Sequence, residues 1–157
     1  MHFPEVEQAV AFYQQGYTCA QSILASFSER YDFPQSLAFK LGEPFGAGMS
    51  CTNDLCGCIS GAVMVLGLHY GSTRSNDDTA RSNTYQRVQE LIRRFTEIHG
   101  SIQCPDLLGY HLSDPSQLQV VWEKGLFNQL CPVLVRDAAQ ILADLLEEIP
   151  PPHPASS

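Results

Sequence analysis

Residues 55–70 read Leu-Cys-Gly-Cys-Ile-Ser-Gly-Ala-Val-Met-Val-Leu-Gly-Leu-His-Tyr, and this stretch decides the fold. It follows Asn53-Asp54, either of which caps a helix, and it is apolar on nearly every side. A helix that is apolar all round is surrounded by protein. The pattern therefore predicts a buried central helix from about Leu55 to Tyr70, with Val63, Met64, Val65, Leu66 and Leu68 in the core. Gly57, Gly61 and Gly67 each cost such a helix about 1 kcal/mol relative to alanine. That cost points to a backbone pressed close to a neighbour or a ligand.

The flanks are helical too. Pro4 opens a helix running to Gln15, with Val6, Val10 and Tyr13 on one face and Gly16 as its stop. Thr18 caps a second helix, Cys19 to Tyr31, with Ile23, Leu24 and Phe27 inward. Pro34 begins a short third helix to about Leu41. Gly42 to Asp54 reads as a glycine-rich loop. Beyond the central helix, Asp77 or Asp78 starts a long amphipathic helix ending at His99-Gly100, with Tyr85, Val88, Leu91, Ile92 and Phe95 facing inward. Cys104-Pro105 leads into a brief helix. Residues 113–125 fit either a helix or an extended piece, and Cys131-Pro132 opens the last helix, with Leu134, Ala138, Ile141, Leu142, Leu145 and Ile149 at its period. The expectation is an all-α, bundle-like single domain over residues 1–149, of about six or seven helices, followed by a disordered Pro-rich tail over 150–157.

Composition bounds the function. Nine Lys and Arg against 17 Asp and Glu leave a net charge of -8, which argues against nucleic acid and against an anionic membrane surface. No segment is long and apolar enough for membrane insertion, and the first residues lack a secretory pattern. A cytoplasmic location is expected, where thiols stay reduced. Six cysteines then need an explanation other than structural disulfides.

Their positions offer one. Cys19 follows the cap Thr18, Cys56 follows Asn53-Asp54, and Cys104 and Cys131 each precede a proline. All four are thus expected at helix N-termini, whose partial positive charge and unpaired N–H groups favour a thiolate. Thiolates attack disulfides and ligate iron, zinc or copper. Cys51 and Cys58 are better explained by packing, with a spare ligand or a resolving thiol as the alternative. No C-x-x-C is present, so the spacing matches neither a zinc ribbon nor a thioredoxin-type site. His111, seven residues after Cys104, is a candidate non-cysteine ligand.

Three segments carry a resemblance: Gly16-Tyr17-Thr18-Cys19-Ala20-Gln21-Ser22, Phe45-Gly46-Ala47-Gly48-Met49, and Cys56-Gly57-Cys58-Ile59-Ser60-Gly61-Ala62-Val63-Met64. With Cys104 before Asp106-Leu107-Leu108-Gly109, and with Cys131, they resemble the C_GCAxxG_C_C family of redox-active proteins from about residue 5 to 148. The family's alanine is replaced here by Cys58. The resemblance implies Cys19, Cys56, Cys104 and Cys131 as the functional cysteines. It also implies an iron–sulfur cluster or another thiophilic metal, as in the split-Soret cytochrome, and a possible homodimer. The expected function is electron transfer through a thiolate-held metal centre to an unidentified redox partner. The Gly46, Gly48 and Gly57 backbone would lie near that centre. A metal-free dithiol–disulfide oxidoreductase, with Cys56 attacking and Cys58 or Cys19 resolving, is the alternative. A copper or zinc binding protein is the third.

Overall fold

The computed structural model describes residues 1–148. Its elements are α1 (Pro4–Gln14), α2 (Cys19–Phe27), α3 (Gln35–Gly42), α4 (Gly46–Cys51), α5 (Gly57–Tyr70), α6 (Asp78–His99), α7 (Cys104–Leu108), α8 (Pro115–Glu123) and α9 (Leu126–Glu147). Short 3₁₀ turns lie at Ser28–Tyr31 and Glu43–Phe45. All but α4 are right-handed, so the described residues form eight α-helices rather than six or seven. Among them there is no strand, only an isolated antiparallel bridge between Leu55 and Gln103. The undecided stretch is α8, started by Pro115 and capped by the Asp114 carboxylate, which accepts the Ser116 N–H at 2.9 Å. The expected tail, and Ile149 before it, lie outside the described residues.

Two helices make the centre. α5 packs against α2, α9 and α6, with Ile59, Ala62, Val65 and Leu66 fully buried. α2 is buried over all nine of its residues, although Gln21, Ser22 and Ser26 are polar. Their polar atoms are satisfied locally. The Ser22 and Ser26 hydroxyls donate to the Thr18 and Ile23 carbonyls at 2.7 and 2.9 Å. Gln21 closes a capping box with Thr18 and also donates to the Phe39 carbonyl at 2.8 Å. A polar group bonded in this way is buried at little cost. α1 and α9 close over α2, and α6 covers the other side of α5.

The last turn of α5 leaves the core. Gly67, Leu68 and His69 are exposed, so Leu68 is not the core residue the apolar run suggested. Gly61 does mark a close approach: a Cβ there would lie 2.8 Å from the Ala20 carbonyl oxygen. Gly67 does not, because nothing stands within 4 Å of its missing Cβ. Gly67→Ala is therefore expected to stabilise the fold by about 0.5–1 kcal/mol through helix propensity and reduced freedom of the unfolded chain. An increase in the urea midpoint is the readout, and a decrease would contradict the assignment of this position as open. In α6 the buried seam is Arg87, Leu91 and Phe95. Tyr85 is 61% exposed rather than inward, since six residues separate it from Leu91, about 120° short of two full turns.

Candidate functional site

Five cysteines line one cavity of about 300 Å³: Cys19, Cys56, Cys58, Cys104 and Cys131. Four aromatic residues, Tyr13, Tyr17, Trp122 and Phe127, share its wall. Every cysteine in the chain is a free thiol.

The elements bring them together from distant parts of the sequence. Cys19 is the first residue of α2, directly after the Thr18 cap. Cys56 is itself the N-cap of α5, and Cys58 is the second residue of that helix. Cys104 is the first residue of α7, and its N–H donates to the Asp54 carbonyl at 3.0 Å. The Cys56 N–H donates to the Ile102 carbonyl at 2.8 Å, so residues 54–56 and 102–104 are pinned side by side. Cys131 is a correction. α9 begins five residues earlier, at Leu126 after the left-handed Gly125, and Pro132 lies inside the helix. Proline ordinarily breaks a helix interior. Here it falls in the second turn, where only one backbone bond is forfeited, while Leu134, Val135 and Ala138 are buried. Cys131 therefore has no helix-terminus charge to favour its thiolate.

The loop expected between Gly42 and Asp54 has a definite structure. Ala47, Gly48, Met49 and Ser50 all have φ between 53° and 61° and positive ψ, and Cys51 follows at φ 63°. α4 is thus a single left-handed helical turn. Each non-glycine residue in that conformation costs roughly 1–2 kcal/mol. Side chains help hold it: the Ser50 hydroxyl donates to the Pro44 carbonyl at 2.7 Å, and that of Thr52 to the Met49 carbonyl at 2.8 Å. The turn serves two contacts in the site. The Ala47 N–H, between the two glycines, is aimed at the Cys19 sulfur. The Gly48 backbone lies so close to Cys104 that a Cβ would stand 2.7 Å from the cysteine's own Cβ. At Gly57 a Cβ would stand 2.5 Å from the Cys19 sulfur. At Gly46 the near neighbour is Thr18, 2.5 Å from the same kind of Cβ.

Electrostatics single out one sulfur. The Cys56 thiol, then that of Cys58, hydrogen-bonded to the Cys19 sulfur, hold it well below the usual thiol range despite burial. The Ala47 and Ala20 N–H groups act in the same direction. The other four cavity thiols shift upward. Their bonds to Cys19 push Cys56 and Cys58 well up. Burial, and then the Cys19 charge, raise Cys104 to about 12. Burial raises Cys131 to about 11, although the Tyr13 hydroxyl beside it opposes the rise. Of the thiols lining the cavity, Cys19 is the one whose ionised form the surroundings favour.

This has a consequence for stability. Cys104 and Cys131 keep protons in the folded chain that the unfolded chain releases near pH ~8.5. Their contribution is fully present below that pH and is lost as pH rises through about 11 and about 12. Cys19 has the opposite sign: its contribution is full above pH ~8.5, so it adds nothing to the alkaline loss. The urea midpoint is expected to fall steadily from pH ~8.5 to ~11, and a flat profile would contradict the placement of these two thiols.

Other expected residues separate from the site. Cys51 is half-buried, does not line the cavity, and packs against the small cluster that contains Cys104, Leu108 and Cys131. His111 is exposed and is not among the residues lining the cavity. His69 accepts or donates at Nδ1 with the Tyr31 hydroxyl at 2.9 Å, and His99 pairs with Asp137 at 2.9 Å. Among the described residues no three Cys, His, Asp or Glu side chains converge in a geometry that would hold a metal ion, and no helix is long and apolar enough to cross a membrane.

A helical protein with several thiols gathered on one cavity defines a class built for sulfur chemistry. Residues 17–145 match the family "Putative redox-active protein (C_GCAxxG_C_C)". The chain belongs to this family. Comparison with curated proteins and with solved structures found no match.

Proposed function

We propose that this redox protein works by dithiol–disulfide exchange, with Cys19 as the attacking thiolate and Cys56 or Cys58 as the resolving thiol. One observation carries the reading: the Cys19 sulfur, at the capped start of α2, is flanked in one cavity by the thiols of both partners. The roles differ from those the sequence suggested, where Cys56 was the nucleophile. Cys19 attacks one sulfur of a disulfide, and the departing thiolate takes up a proton. The Cys56 or Cys58 thiol loses its proton and attacks the Cys19 sulfur, releasing the second half of the substrate as a thiol. The protein is left with one disulfide and the substrate with two thiols. The Cys56 and Cys58 thiols, with the Ala47 and Ala20 N–H groups acting the same way, favour the Cys19 thiolate, the species that attacks a disulfide.

A second reading is favoured by a different observation. The family cysteines, Cys19, Cys56, Cys104 and Cys131, come from four helices and all face the same cavity. Four thiols around a shared space fit an iron–sulfur cluster as a donor set, whereas a single copper or zinc ion finds no ready group of three side chains among the described residues. Those four cysteines would hold the cluster, and electron transfer is the chemistry it would supply when bound. The Ala47 N–H directed at Cys19 would raise its reduction potential.

Anaerobic purification separates the two. The dithiol reading expects colourless protein that loses two titratable thiols on mild oxidation. Brown protein with stoichiometric iron and acid-labile sulfide would overturn it in favour of the cluster.

A further inference from the structure

We infer that Cys51, the half-buried cysteine, and Cys104, buried behind it, form a second thiol pair which takes disulfide bonds from bulky low-molecular-weight disulfides and delivers them to the cavity. The inference rests on the dithiol reading above and extends it to the class of substrate.

Access is the first argument. Exchange needs the attacking sulfur to meet the substrate sulfur directly. Cys19, Cys56, Cys58, Cys104 and Cys131 are each 9% exposed or less, and the space in front of them is about 300 Å³. That is at the lower end of small-molecule pockets, too small for a disulfide that carries a peptide on each side. Among the described residues Cys51 alone of the cysteines is half-buried, and it lies outside the cavity.

Placement is the second. The left-handed turn puts Gly48 against Cys104, and Cys51 follows three residues later as the last residue of the same turn. The chain then doubles back. The Asp54 N–H donates to the Gly48 carbonyl at 3.1 Å, and the Asp54 carbonyl accepts the Cys104 N–H at 3.0 Å. Cys51 consequently packs into the small cluster containing Cys104. Cys104 belongs to the cluster that Cys51 packs against and also lines the cavity it shares with Cys19.

The chemistry balances. Cys51 loses its proton and attacks the external disulfide, and the thiolate that leaves is protonated. Cys104 loses its proton and attacks the Cys51 sulfur, releasing the second external thiol and closing Cys51 to Cys104. The Cys19 thiolate then attacks the Cys104 sulfur and frees Cys51, which regains a proton. Cys56 or Cys58 resolves the Cys19–Cys104 bond, gives up its proton and returns Cys104 to a thiol. One external disulfide has become two thiols, and one protein disulfide remains.

The test uses the full chain, reduced and anaerobic, with glutathione disulfide as the probe and peptide mass spectrometry as the readout. The wild type is expected to show glutathione on Cys51 first and a Cys51–Cys104 bond next. Cys51→Ser is expected to slow thiol loss to glutathione disulfide by at least about tenfold. Cys104→Ser is expected to leave glutathione trapped on Cys51. If serine at 51 disturbs folding, seen as a lowered urea midpoint, the wild type's first-modified cysteine decides instead. Unchanged kinetics in a folded Cys51→Ser protein, or first modification elsewhere, would overturn the pair. A protein that closes Cys51 to Cys104 but never oxidises Cys19 would support the surface pair and count against the buried dithiol.

Discussion

Cys19→Ser is expected to slow oxidation of the Cys56 and Cys58 thiols by diamide, a small neutral oxidant, by roughly 10³-fold or more, the scale seen when an enzyme loses its nucleophile. The hydroxyl of serine does not ionise near neutral pH. The remaining cavity thiols all have raised values, burial or their bonds to Cys19 holding the protons on. Stability should change little, because the Thr18 capping box is untouched and serine tolerates the first turn of a helix. Cys56→Ser should have the smaller effect on rate, since Cys58 still flanks the nucleophile. Stopped-flow thiol loss with both variants is the measurement. A Cys19→Ser protein oxidised at the wild-type rate would place the reactive thiolate on another residue.

Gly57→Ala is the second large effect, and its sign is opposite to that of Gly67→Ala in the same helix. The added Cβ would lie 2.5 Å from the Cys19 sulfur, 2.9 Å from the Phe45 carbonyl oxygen and 3.1 Å from the Ala20 nitrogen. Two of these atoms are backbone, so relief requires the start of α2 to move. Overpacking of this kind costs about 1–3 kcal/mol, against a propensity gain of about 1 kcal/mol for alanine in a helix. The sulfur it displaces is the one the hydrogen bonds of the site converge on. A lowered urea midpoint and slower diamide oxidation are expected together. A more stable Gly57→Ala protein would mean that the helix start does not press on Cys19.

Much of this was legible in the residues, and the failures have physical causes. The periodic segments gave α1, α6 and the central α5. The cap Thr18 and, as one of two candidates, Asp77 were legible because short polar side chains at helix starts act locally, whereas α5 is capped by Cys56 rather than by Asn53 or Asp54. The burial of α2 was hidden by its serines and glutamine, whose polar atoms are satisfied by backbone groups that sequence does not display. Cys131-Pro132 looked like a helix start because proline favours that position. The true start is set by Gly125, which adopts the left-handed conformation just before Leu126. The left-handed turn of α4 was barely signalled, since Ala47, Met49, Ser50 and Cys51 ordinarily avoid positive φ. Two glycines flanking Ala47 were the visible hint. The gathering of Cys19 with Cys56 and Cys58 depends on α2 crossing α5 at Gly57 and Gly61, a tertiary event.

The most direct test is to oxidise the reduced protein with one equivalent of diamide and to identify the resulting disulfide by peptide mass spectrometry. A bond joining Cys19 to Cys56 or Cys58 is the predicted product. A product in which Cys19 remains a free thiol while some other pair closes would contradict the assignment of the nucleophile.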